Sequence, residues 1–155
     1  MADTFSRLNA ADNPHVRGKD FEKLLLRAFE LAHFAVELDP GIARPRQTDL
    51  SALYGDRRYL LECKWQKAKA DIDVLGTVYD RLRRVSPSVV GVIVSVSGFT
   101  ETVVDEVLQD RRRPVLLIDR ADLLAVMRDP VSLLGLLQTK QEALRARNTI
   151  MFGPS

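Results

Sequence analysis

Asp49, Glu62 and Lys64 are the residues whose types and spacing suit a chemical task. They fall on two β-like runs, Gln47 to Tyr54 and Arg58 to Trp65, separated by Gly55-Asp56, a dipeptide suited to a two-residue hairpin loop. With that loop, Tyr54 stands opposite Arg57 and, further along, Asp49 stands opposite Glu62. Directly opposed Cβ atoms lie about 4.5–5.5 Å apart, and like charges there destabilise a sheet. At an effective dielectric of about 20 the repulsion is roughly 3 kcal/mol. A divalent cation bridging both carboxylates offsets it, and all-oxygen ligation selects Mg²⁺, with Mn²⁺ or Ca²⁺ as substitutes. Alternation puts Lys64 on the face of Glu62, about 6.8 Å further along the strand. Two cation-binding carboxylates beside one ammonium suit phosphodiester hydrolysis: the metal activates water and polarises a phosphate oxygen, while the lysine orients the water or stabilises developing charge. A surface Glu-x-Lys ion-pair stripe is the bland alternative, weakened because Leu60, Leu61 and Trp65 flank the motif as core residues. The opposite strand face reads Tyr59, Leu61, Cys63, Trp65 and suits packing beneath a helix.

The surrounding elements must hold that hairpin. A helix is expected over Val16 to Phe34, where Phe21, Leu24, Leu25, Ala28, Leu31 and Ala32 recur on one face. Ala35 to Leu38 is extended and ends at the turn signal Asp39-Pro40-Gly41. After the hairpin come a helix over Ile72 to Val85 and a β-branched strand over Val89 to Ser97. A helix capped by Thr100 follows, then a strand over Pro114 to Ile118 and helices over Ala121 to Met127 and Val131 to Arg147. Asn148 to Ser155 reads as a loose tail. The order predicts a three-layer α/β domain with a mixed sheet, because a hairpin interrupts strict strand-helix alternation. No glycine-rich phosphate loop follows a strand, so nucleotide cofactors are disfavoured.

Asp49, twelve intervening residues, then Glu62-Cys63-Lys64, with a preceding helix bearing Gly18-Lys19-Asp20-Phe21-Glu22, resembles the PD-(D/E)xK nuclease superfamily. The likeness is strongest to its Mrr-like restriction endonuclease and Holliday-junction-resolvase-like branches, and it covers roughly Val16 to Leu124. It implies a restriction-endonuclease-like fold with an αβββαβ core. It also implies Mg²⁺ on Asp49 and Glu62, catalytic assistance from Lys64, and an acid on the first helix, Glu22, joining the site. Thr48 stands where the family often has proline. Mrr-type relatives often carry a separate recognition domain, for which this chain has no room. The implied division is an N-terminal arm (1–15), a nuclease domain (16–147) and a C-terminal tail (148–155).

Length and composition bound these readings. A chain of 155 residues is one domain, and 46% apolar with 28% charged residues is ordinary for a folded protein. The longest apolar run, Val89 to Phe99, is too short to cross a membrane. No secretion signal is visible, so the cytoplasm is the expected compartment. A single cysteine, Cys63, excludes internal disulfides and multi-cysteine zinc sites; it is expected in the core. The net charge is only +2, yet Pro40 to Lys69 carries seven basic residues against three acids, a local field that attracts phosphate backbones. Arg44, Arg46, Lys67 and Lys69 are the candidate phosphate contacts, and Arg81, Arg83 and Arg84 form a further basic cluster. Trp65 is expected to be core, and His33 a helix C-cap or core-edge residue.

The function expected is a metal-dependent DNA endonuclease of defence or repair. The alternative is an inactive nuclease-fold module that binds nucleic acid or assembles with a partner, and a third is an α/β domain with a purely structural role. A homodimer is expected through the final helix, whose Val131, Leu133, Leu134, Leu136, Leu137 and Leu144 exceed one core face. A separate recognition subunit or domain is the other expected partner.

Overall fold

The computed structural model describes residues 1–9, 14–40, 48–110 and 113–152. Gly55, at φ +62°, makes the tight turn that lets Thr48–Tyr54 (β2) fold back on Arg57–Lys64 (β3). The hairpin register is the one the loop dictates, with five antiparallel pairs from Leu50 opposite Leu61 to Tyr54 opposite Arg57. Ala35–Pro40 (β1) pairs antiparallel with the outer side of β2. On the other side, Val90–Ser95 (β4) lies parallel to β3, and Val115–Ile118 (β5) parallel to β4. The result is one mixed five-stranded sheet in the order β1-β2-β3-β4-β5. Ile72–Leu82 (α3) and Glu101–Gln109 (α4) make the two crossovers that parallel pairing demands.

Every residue of β4 and β5 is buried, as strands covered on both faces should be. On one face lie Ala2–Asn9 (α1), Pro14–Leu31 (α2) and Arg120–Arg128 (α5), around a core of Phe5, Phe21, Leu25, Phe29, Tyr59, Leu61 and Val92. On the other face α3 and α4 bury Leu75, Val78, Leu82, Val103 and Val107 against Leu60, Ile93 and Leu117. The three-layer α/β architecture is therefore present, with α3 and α4 lying over the face of β3 that carries Glu62.

Four details depart from the sequence reading. The N-terminal arm contains a helix, α1, whose Phe5 is only 1% exposed; at eight residues it is too short to be stable alone, so tertiary packing carries it. A 3₁₀ turn at Pro130–Ser132 precedes Leu133–Arg147 (α6), because Pro130 resets the chain before the helix begins. The leucine surplus of α6 is consumed within the chain: Leu133 and Leu137 are buried, Leu134, Leu136 and Leu144 pack against the cores, and Val131 stays 66% exposed. Finally, the segment after α6 is anchored as far as Phe152. Lys140 Nζ donates to the Met151 carbonyl, and Phe152 stacks on Phe99 at 5.9 Å. Lys140 itself is buried, paired with the buried Asp122 at 2.8 Å.

Candidate active site

Glu62 and Lys64 lie near the C-terminal end of β3, which with β4 and β5 forms the parallel half of the sheet. In open α/β sheets that end is the usual place for a ligand crevice. Alternation sends Tyr59, Leu61, Cys63 and Trp65 into the α1–α2 core and leaves Glu62 and Lys64 on the α3 face. The Glu62 side chain is 15% exposed and Lys64 35%, so the pair is no solvated surface stripe. Lys64 Nζ stands 3.5 Å from Glu62 Oε1, and Arg81, from the last turn of α3, donates Nη1–H to Glu62 Oε2.

Asp49 follows Thr48 at the start of β2, where its backbone is paired with Asp39 of β1. The hairpin register ends at Leu50 opposite Leu61, the pair next to the Asp49–Glu62 pairing that the loop predicts. The Asp49 side chain lies outside the described residues, as do Arg44 and Arg46. Glu22, half-buried on α2, reaches the same end of the sheet from the opposite face. Burial raises its pKa above the ordinary carboxylate value, and the negative charge of Glu62 raises it further. Cys63, next to Glu62 on β3, packs against the core. Burial pushes its thiol pKa well up, the charges of Glu22 and Glu62 add to that, and Lys64 opposes it, so it is no ready nucleophile.

A hard divalent cation would relieve the negative charge that Glu62 places on Glu22. Among the described residues no three His, Cys, Asp or Glu side chains gather as a complete metal cage. A full oxygen set drawn from Glu62 and Glu22 would need Asp49 as well.

The loop after β3 carries the exposed Lys67 and Lys69. It is fastened to the loop after β4. Ser97 Oγ donates to the Gln66 carbonyl, Ala70 N–H donates to the Gly98 carbonyl at 2.9 Å, and Thr100 N–H donates to the Ala70 carbonyl at 3.1 Å. Both lysines are thus held at the same end of the sheet as Glu62. Trp65 packs its ring 4.8 Å from Phe21 and 5.6 Å from Phe5, as a core residue. His33 takes a left-handed φ of 71° just past α2, where it ends the helix. The contact that sequence reasoning missed is that of Arg81. It lies three residues beyond the buried Val78, on the margin of the helix face that meets the sheet, and that periodicity is the signal that would have found it.

Residues 14–127 match the Mrr-type catalytic domain family, described as a restriction endonuclease. The chain belongs to that family. The Mrr-type assignment agrees with the fold. The DNA modification-dependent restriction endonuclease AspBHI shares it at a TM-score of 0.52 and 18% identity, over 75% of this chain and 34% of AspBHI. MspJI, solved in complex with a 27-mer oligonucleotide, gives 0.45 at 16% identity over 82% of this chain and 30% of its own. A protein of unknown function, AF1548, gives 0.49 at 17% identity over 64% and 56%. The chain thus spans about a third of either endonuclease and just over half of AF1548. Among curated proteins none matches it.

Proposed function

We propose that this chain is the catalytic part of a Mg²⁺-dependent DNA endonuclease, with Mn²⁺ as a substitute ion, acting in restriction of foreign DNA or in DNA repair. The observation that carries this reading is the Glu62–Lys64 pair, half-buried on a strand end of an Mrr-type chain, one register step from Asp49. Asp49 and Glu62 would hold the cation, with Glu22 as a further carboxylate beside them. When bound, the cation supplies Lewis-acid polarisation of the scissile phosphate. Lys64 offers its ammonium to the attacking water or to the charge that develops on the phosphate. Lys67 and Lys69, with Arg44 and Arg46, are the proposed contacts to the phosphate backbone. Each site cuts one strand, so cutting a duplex takes two copies of the chain, as a homodimer or as successive encounters. Choice of target falls to a separate domain or subunit. The cytoplasm is the compartment this role requires.

The test is plasmid nicking with Mg²⁺ or Mn²⁺. Wild type should nick, chelation by EDTA should stop it, and Glu62→Ala or Lys64→Ala should lose at least about 100-fold in rate with an unchanged circular-dichroism spectrum. Full activity in both variants overturns the proposal.

One observation favours a second reading. Both oxygens of Glu62 already face a cation, Arg81 on one side and Lys64 on the other, an arrangement that also suits an inactive nuclease-fold module binding nucleic acid. DNA binding that persists in EDTA, with no nicking under either metal, would establish that reading instead.

A further inference from the structure

Glu62 is held unevenly. Its Oε2 takes a charge-assisted hydrogen bond from Arg81, whereas Lys64 stands 3.5 Å from Oε1, beyond ordinary hydrogen-bond length. Arg81 cannot drift far from this position. Its side chain is 14% exposed, and α3 is fastened to the sheet by the fully buried Leu75, Val78 and Leu82 on either side of it. Asp71 caps the start of the same helix by accepting from the backbone N–H groups of Asp73 and Val74. A guanidinium is a planar donor fork that stays charged at any working pH, so it fixes the direction of a carboxylate as well as balancing its charge.

We infer that Arg81 is a positioning residue. By holding Oε2 it fixes the rotamer of Glu62 and leaves Oε1, beside Lys64, as the oxygen that ligates the cation. The inference rests on the metal-dependent reading above. A ligand pinned in advance gives up less rotamer entropy when the ion arrives, and outer partners of this kind typically change metal affinity by about 10–100-fold. The opposite arrangement, in which Arg81 merely stands in for the ion and must leave before it binds, predicts the opposite sign.

The experiment is calorimetric titration of Mn²⁺ into the whole chain at neutral pH, for wild type, Glu62→Ala, Arg81→Ala and Arg81→Lys, each checked for folding by circular dichroism. The expected result is binding in wild type, its loss in Glu62→Ala, a fall of at least about 10-fold in Arg81→Ala, and a smaller fall in Arg81→Lys. If Arg81→Ala does not fold, Arg81→Lys decides alone: a several-fold loss supports the inference, and wild-type affinity overturns it. Unchanged or tighter binding in Arg81→Ala overturns it as well. No binding in wild type, or equal binding in Glu62→Ala, removes the metal-dependent reading itself, and the positioning role falls with it.

Discussion

The hydroxyl of Tyr79 on α3 is buried without a hydrogen-bond partner among the described residues, and the fold bears the desolvation of that group with no return. Burial, with the carboxylates of Asp110 and Glu106 nearby, raises its pKa from the ordinary phenol value to about 12. In the unfolded chain the phenol ionises near pH 10. The native state therefore keeps its full stability below about pH 10 and loses some as the pH climbs towards 12, because the unfolded chain releases its proton first. Tyr79→Phe should match or exceed wild-type stability at pH 7, by up to about 1 kcal/mol, and should decline less steeply between pH 10 and 12. Urea melts of both proteins at pH 7 and 11 check this, and parallel pH dependence would refute it. Legibility at this scale follows distance along the chain. Glu62 and Lys64 are two residues apart on one strand, and alternation alone puts them together. Arg81 meets Glu62 from 19 residues away, by way of a crossover whose docking only the folded sheet defines.

Elements whose identity rests on a local rule were readable. Gly55-Asp56 set both the hairpin and its register, and Thr100 caps α4 by accepting from the Val103 N–H. Elements that exist only through tertiary packing were not: α1 has too few residues to announce itself, and the 3₁₀ turn at Pro130 read as part of the helix that follows. The packing of α3 on β4 makes a prediction of its own. Gly91 stands where a Cβ would come within 3.0 Å of Leu82 Cδ1, 3.1 Å of Val78 Cγ1 and 3.2 Å of Val115 Cγ2. All three neighbours are buried, so none can turn away into solvent. Gly91→Ala gains about 0.4–1 kcal/mol by restricting the unfolded chain, and it pays about 1–3 kcal/mol for overpacking. The net expectation is a loss on the order of 1 kcal/mol in denaturant melts. Since Arg81 adjoins Leu82, the same substitution should also weaken Mn²⁺ binding by displacing α3. A stabilised Gly91→Ala with unchanged metal affinity would mean that α3 has room to move.

At the scale of the whole molecule, segments near both ends of the chain are anchored on the core. Residues 1–15 read as an arm and 148–155 as a loose tail, yet one aromatic residue near each end is enough to anchor a segment. Phe152 stacks on Phe99 at one end. At the other, Phe5 sits 5.6 Å from Trp65 and 6.3 Å from Phe21, with the Arg120 guanidinium 5.8 Å over its ring. Among the described side chains of α1, Phe5 is the buried one, and a helix of that length does not survive without its anchor. Phe5→Ala should therefore release α1 as a unit and cost about 3–5 kcal/mol, whereas Val131→Ala, at a well-exposed position, should change stability by less than about 0.5 kcal/mol. Trp65 is the only tryptophan in the chain and directly follows Lys64, so its environment reports on the strand end that carries the site. In Phe5→Ala its emission should move to longer wavelength as water reaches the ring, and nicking should fall together with the melting temperature, although Phe5 contributes no group to the chemistry. If emission and melting both stay at wild-type values, α1 does not brace the site and the α2–Trp65 contact suffices to hold it. A red-shifted emission with full nicking activity would mean instead that Lys64 keeps its place without support from behind.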